Sequence, residues 1–399
     1  MGLVKRNWEE YEARGWSAPD KHVCPNCVED EFLRGLIRTN VCSRQCDYCG
    51  KCTRKPSASP VESIMPAIAS ALGYFYAEPT QAGAPYDGGW VFEPTDTADA
   101  LMGIPFECHD ELFEDVADSF ANTAWISAAD GHWASSHRNE EWSGEWHAFS
   151  EVVKHRSRHF FMTSTQGSES AFPLSPLQVL ELVSDMAVQL GLITSLPKAT
   201  KVYRVRERVG NADWPICPDE VGAPPNQLVN AGRMNPAGIS YLYMSMTRGG
   251  ALAEVLRAPP CRAVIATFEV VDVLSVLDLT RLPQRPSVFD EENHRTRELI
   301  LFLDYFVMDI CQPVQKDGRE HISYVPSQVV SEYFAQVFKT SDGQTLDGIV
   351  YPSAVSPESK NLALFPRDEY AAFAHAVEFV CGDDIALNNW AEFSKNISL

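Results

Sequence analysis

The stretch GRMNPAGISYLYMSMTRGGALAE, from Gly232 to Glu254, strings an Arg, a Tyr and a Glu over a turn, a strand and a helix. Its opening GRMNPAG packs two glycines, a proline and an asparagine around Arg233, the composition of a shaped loop leading into the strand ISYLYMSM. The helix that follows, TRGGALAEVLRA, takes Thr247 as its N-cap and carries Glu254 about two turns in, on the side of Leu252 and Val255. A carboxylate leaning on an apolar face is out of place unless it has a task.

The 399 residues are long for one compact unit and suggest two or three domains, at ~100 to 200 residues each. With 45% hydrophobic and 22% charged residues, the chain can build real cores. No run reaches the ~18 apolar residues of a spanning helix, and MGLVKRNWEEYEARGW lacks the apolar core of a secretory signal, so a cytoplasmic protein off the membrane is expected. MGLVKR has Arg6 where an N-myristoylation signal wants Ser or Thr. A formal charge of −21 argues against nucleic acid as a direct substrate.

Six of eleven cysteines, Cys24, Cys27, Cys42, Cys46, Cys49 and Cys52, fall within 29 residues. Cys24/Cys27 and Cys46/Cys49 are CxxC pairs with eighteen residues between them. This is the spacing of a four-thiolate zinc site, because each knuckle turns two sulfurs to one side and the insert folds back over the ion. Cys42 and Cys52 compete as ligands. Four thiolates leave no position open for water, so the zinc is expected to be structural.

In the insert, EDEFLRGLIR spaces Phe32, Leu33, Leu36 and Ile37 as a short amphipathic helix. VESIMPAIASALGYFYA reads as a helix with Pro66 near its start, and EPTQAGAPYDGGWVFEP as a surface loop or small hairpin. ELFEDVADSF and the Trp-rich run to about Phe161 are helical again, with Trp142, Trp146 and Phe149 on one core-facing stripe. SPLQVLELVSDMAVQLGL is a capped helix starting after Ser175. Arg138 to His147 and Arg156 to His159 have eight and two intervening residues, neither matching the four to six of HEPN ribonucleases, so His147, His155 and His159 are read as structural or surface groups.

From Ser195 strands and helices alternate. LPKATKVYRVRERVG is strand-like, with Arg204 and Arg206 on one face; turned inward, two guanidiniums would suit a diphosphate. RAVIATFEVVDVLSVLDL supplies two strands, EENHRTRELILFLDYFVMDIC a long helix, and YVPSQVVSEYFAQVF another. The pattern closes with GIVY, Ser353 at a turn, and a final strand NLALF.

These blocks together resemble the RES domain family, named for its Arg, Glu and Ser. YRVR, then GRMNPAG with its LY strand and Glu-bearing helix, then GIVYPSA and NLALF stand in the family's order between about Lys201 and Pro366. Ten residues from Arg233 to Tyr243 and eleven from Tyr243 to Glu254 fit as well. CPNC, CDYCG and the Trp-rich helix make the first half similar to the HEPN-like helical domain that precedes some RES domains.

The resemblance implies an α+β protein: a Cys-rich zinc element at 1–60, a helical HEPN-like domain at 61–195, and a catalytic domain at 196–399 resembling the split mixed sheet of the ADP-ribosyltransferase fold. It implies an NAD+ glycohydrolase or phosphorylase, a toxin or defence effector held by an Xre-type antitoxin, with an oligomer left open. Glu254, Tyr243 and Ser353 would be catalytic, and Arg204, Arg233 and Arg206 would bind NAD+. Two readings compete with this one: a protein ADP-ribosyltransferase, and a non-catalytic zinc-bearing module that recognises a nucleotide or partner.

Overall fold

The computed structural model describes residues 14–158, 174–210, 213–314, 318–356, 358–367 and 373–397. The expectations for MGLVKR and for His159 lie outside these residues. Contacts divide the chain into two compact units, Met1–Glu141 with Gln284–Leu301, and Trp142–Pro283 with Phe302–Leu399. No helix among the described residues is long and apolar enough to cross a membrane.

The first unit is a set of short helices, Glu31–Thr39, Met65–Phe75, Thr97–Gly103 and Asp110–Ala117. Two small strand pairs accompany them: β1 (His22–Val23) with β2 (Ser59–Pro60), and β3 (Tyr76–Ala77) with β4 (Ile126–Ser127). The expected insert helix forms because Asp30 caps it, accepting from Leu33 N, while Leu33 and Ile37 recur one turn apart and are fully buried. Pro66 sits in the first turn of its helix, where a missing N–H loses no bond. The 85–91 loop closes on one bridge between Tyr86 and Trp90.

In the second unit, the Trp-rich run is helix Arg138–His155 from its middle onward, and its stripe is core. Trp146 is fully buried, stacks on Phe149, meets Phe306 edge-on at 4.8 Å, and donates its indole N–H to Asp309 Oδ2 at 2.9 Å. His147 and His155 are exposed. Helix Pro176–Gln189 starts with a full capping box, Ser175 and Gln178 satisfying each other's backbone N–H.

An eight-stranded mixed sheet dominates this unit: β5 (Ile193–Leu196), β6 (Lys201–Glu207), β7 (Leu242–Ser245), β8 (Cys261–Val270), β9 (Leu274–Asp278), β10 (Gly348–Pro352), β11 (Lys360–Leu364) and β12 (Val377–Leu387). The order is β12-β8-β6-β7-β11-β10-β9-β5, and only β9 and β10 run parallel. β6 pairs with β8 along its whole length, yet meets β7 at a single pair, Tyr203 with Ser245. The sheet is therefore split at its middle.

Alternation sets the two faces. Val202, Leu242, Met244, Val264, Ala266 and Leu362 cluster on one. Val205, Ala263 and Ile265 lie on the other, under Ala251 and Leu252 of helix Arg248–Val255 and Leu256 just after it. The expectation that NLALF is the last strand is corrected: β12 follows it and pairs with β8 as an edge strand. Its run VEFVCGDDIAL is largely exposed and carries a glycine and two aspartates, residues depleted in strands, so the pairing partner makes it a strand.

Candidate active site

The loop before β7 is built around one buried side chain, Asn235. Its Nδ2 donates to the carbonyls of Asn230, Pro236 and Ile239, and its Oδ1 accepts from the Tyr243 hydroxyl at 2.8 Å. Tyr243 in turn accepts from Met234 N at 2.9 Å. A Cβ on Gly232 would stand 2.5 Å from Asn235 Oδ1 and 3.0 Å from the Tyr243 oxygen, so only glycine fits there. From helix Val325–Glu332, Gln328 Nε2 donates to the carbonyls of Gly232 and Asn235, and Ser327 Oγ to that of Arg233. The bend holding Arg233 is over-determined from both sides. Burial pushes the Tyr243 phenol up, so it stays protonated at neutral pH.

Arg233 Nη1 reaches two carbonyls at the end of helix His294–Cys311, Ile310 O at 2.7 Å and Gln312 O at 2.9 Å, and the guanidinium lies 5.5 Å from the Tyr324 ring centre. It lines a cavity of about 350 Å³ together with Lys154, Asp309, Arg319 and Tyr324. Glu254 and Ser353 are not among the walls of that cavity.

Helix Arg248–Val255 is capped by Thr247, which accepts from Gly250 N at 3.1 Å. Its first turn docks closely on the sheet: a Cβ on Gly250 would meet Ser245 Oγ at 2.5 Å and Ser359 Oγ at 2.6 Å. That approach brings Glu254 over the ends of β10 and β11. Ser353 Oγ donates to Glu254 Oε1 at 2.7 Å, and Asn361 Nδ2 donates to the same oxygen at 2.6 Å. Ser353 Oγ also accepts from the amides of Val355 and Ser356, which fixes its hydroxyl as the donor toward the carboxylate. Beside them, burial raises the Tyr351 phenol well above its ordinary range, and the nearby Tyr243 and Glu254 add to the effect.

The two strand arginines part company. Arg204 Nη1 bonds the carbonyl of Tyr243 at 2.8 Å across the split, while its buried Nε has no partner among the described residues. Burial, and then the charge of Arg206, bring it down to about 10. Folding therefore bears a cost for the charged guanidinium below that pH, and the cost fades as pH rises through about 10 toward the ordinary arginine value. Arg206 is exposed, pairs with Glu220 Oε2 at 2.7 Å and lies over Trp214 at 4.8 Å. Glu254 takes its bonds from Ser353 and Asn361, and Arg233 spends its Nη1 on carbonyls. A plain Glu254–Arg233 ion pair is thus not what holds the carboxylate.

In the first unit, the sulfurs of Cys24, Cys27, Cys46 and Cys49 all lie within 4.8 Å of one another. Neighbouring sulfurs stand 3.6 to 3.7 Å apart. Four thiolates at ~2.3 Å around one tetrahedral ion would be ~3.8 Å apart, so the donor set fits a metal of that kind. Cys42 and Cys52 are exposed and outside the group. Cys24 N donates to Cys46 Sγ at 3.3 Å, binding the first knuckle to the second.

Sequence reasoning missed Asn235, Gln328 and Asn361. The first stood in view in the NP turn. The third was marked only by being a polar residue heading an apolar strand.

Comparison with known families gives two matches: HEPN/RES N-terminal domain 1 over residues 39–167, and RES domain over residues 201–388. Among curated proteins, none matches the chain. Among solved structures, the M. tuberculosis MbcT–MbcA toxin–antitoxin complex is similar at 13% identity, over 54% of this chain and 97% of that one, with a TM-score of 0.29. So low a score carries no argument, and the assignment rests on the two family matches. With a HEPN/RES N-terminal domain followed by an RES domain, the chain belongs to the RES family.

Proposed function

We propose that the chain degrades NAD+ by cleaving the bond between nicotinamide and ribose, and that it acts as a toxin or defence effector that drains the cellular pool. The observation that carries this reading is the Glu254 carboxylate, tied at Oε1 by Ser353 and Asn361 and left at Oε2 without a protein partner among the described residues. In the reaction the ribose C1′–N bond breaks, its electron pair leaves on the nicotinamide nitrogen, and cationic character develops on the ribose. A preorganised carboxylate beside that centre stabilises the developing charge. Water or phosphate then bonds to C1′ and gives up a proton.

Arg204 and Arg233 would hold the diphosphate. The unpartnered Arg204 Nε, and the cavity where Arg233 meets Lys154 and Arg319, support that assignment. Tyr243 would lie against the nicotinamide end. Residues 196–399 would carry the chemistry, with the helical domain at 61–195 and the Cys-rich element at 1–60. Cys24, Cys27, Cys46 and Cys49 would hold a structural zinc. A cytoplasmic Xre-type antitoxin or another inhibitory protein would be the partner.

The test is the NAD+ content of cells expressing wild type or Glu254→Ala, with both proteins shown to be folded. Depletion by wild type alone is expected. An unchanged pool in both sinks the enzyme reading. Labelled NAD+ then identifies the acceptor, free ADP-ribose or its phosphate marking pool degradation and labelled protein marking a transferase.

A further inference from the structure

Asn361 stands on β11 opposite Ser245 of β7 and Tyr351 of β10, in the row of the sheet that underlies Glu254. It is 5% exposed, and Ala363 and Ile349 nearby on the same face are apolar. Its Nδ2 donates to Glu254 Oε1, but its buried Oδ1 has no hydrogen-bond partner among the described residues. Turning the amide over would set oxygen against carboxylate oxygen at 2.6 Å, so its orientation is dictated by chemistry. Holding Glu254 uses the Nδ2 donor alone, and a buried acceptor left unmade is costly, so the unspent Oδ1 calls for a partner from outside the protein.

We infer that Asn361 is a positioning and binding residue of the Glu254 site, with Oδ1 accepting from a hydroxyl of the cis-diol on the ribose being cleaved; this rests on the NAD+ reading above. Glu254 Oε2 and Asn361 Oδ1 are then two neighbouring acceptors presented to one furanose edge, while Asn361 Nδ2 and Ser353 Oγ keep the carboxylate from turning. Two vicinal O–H donors are what such a pair selects. A phosphodiester or a carbonyl, which offers no O–H donor, is not bound there.

The experiment measures nicotinamide release by the full chain for wild type, Asn361→Leu and Asn361→Asp, with thermal melting of each. Substrates are NAD+ and its analogues lacking the 2′ or the 3′ hydroxyl on the nicotinamide ribose. We expect kcat/KM on NAD+ to fall about 10- to 100-fold in Asn361→Leu. Removing one of the hydroxyls should cost the wild type at least fivefold more than it costs Asn361→Leu. In Asn361→Asp, two carboxylates share one proton, so the pH profile of release shifts, and activity falls once that proton is lost and no donor faces Glu254 Oε1. The deoxy-analogue comparison is what separates binding from packing, since a packing role would leave the cost of each missing hydroxyl unchanged. The isosteric Asn361→Asp also covers the case in which Asn361→Leu does not fold.

Wild-type kinetics within twofold in both variants, or equal costs of both deoxy analogues in wild type and Asn361→Leu, overturns the inference while leaving the NAD+ reading standing. A folded wild type that releases no nicotinamide overturns both.

Discussion

The cysteine cluster and the Glu254 site are both convergences of polar side chains, but they are assembled in opposite ways. The four sulfurs come from 26 consecutive residues, Cys24 to Cys49, and two tight knuckles suffice to aim them. Glu254 comes from one helix, and Ser353 and Asn361, 99 and 107 residues further on, come from the turn after β10 and the start of β11. The first is written in local spacing. The second exists only once the sheet has its register, since sliding β11 by one residue would turn Asn361 to the other face. A local site that can hold a metal should therefore fail when its ligand set is broken, and a sheet-borne site when its strands lose alignment.

The largest effect should come from the local site. Metal removal by a chelator, or Cys46→Ser, is expected to cost the first unit several kcal/mol and its cooperative unfolding, since a metal held by these four thiolates would contribute folding energy. Nicotinamide release should suffer far less. An unchanged melting profile after complete metal removal would erase the contrast.

Next comes Ser353→Ala, which deletes one of the two donors to Glu254 Oε1. A hydrogen bond to a charged group is worth about 1.5–3 kcal/mol, so kcat/KM should drop roughly 10- to 100-fold with little change in melting. A loss confined to stability would mean that Ser353 only shapes its turn.

Gly250→Ala tests alignment without touching a polar group. The added methyl has Ser245 and Ser359 oxygens inside 3 Å and must lift the helix or displace both serines. A destabilisation of about 1–3 kcal/mol is expected, together with lower activity. Melting and nicotinamide release should fall together.

The smallest effect belongs to Arg206→Ala. An exposed ion pair contributes about 0.2–1 kcal/mol, so melting and KM should hardly move. Arg204→Ala, two residues back along the strand, should raise KM for NAD+ about tenfold, the loss of one charge-assisted contact. Equal KM values for the two variants would remove the distinction the split sheet draws between them.

Much of the fold was legible because its signals are short-ranged. The Ser175 cap, the Leu33/Ile37 spacing and the Trp146/Phe149 stripe each sit within a turn or two of helix, and each helix forms where they stand. β12 was not legible, because an edge strand with Gly382, Asp383 and Asp384 owes its conformation to β8. In the site, Glu254 stood out as a carboxylate on an apolar helix face. Asn235 looked like a turn residue, and its three carbonyl contacts depend on the loop already being closed. Gln328 supports that loop from over 90 residues away, and no local pattern marks it.

The single Tyr203–Ser245 pair between β6 and β7 makes the sheet, mechanically, two plates joined by one rung. A continuous ladder would carry a displacement of β8 or β12 straight into β7. Here the backbone passes it at one point, and the side chain of Arg204 is the second rivet, bolted to the carbonyl of Tyr243. A guanidinium that clamps the seam while keeping one donor unspent couples whatever fills that donor to the relative set of the plates. A ligand bound there would make its occupancy and the stiffness of the sheet one property, which amide exchange along β6 and β7 would register as a single change.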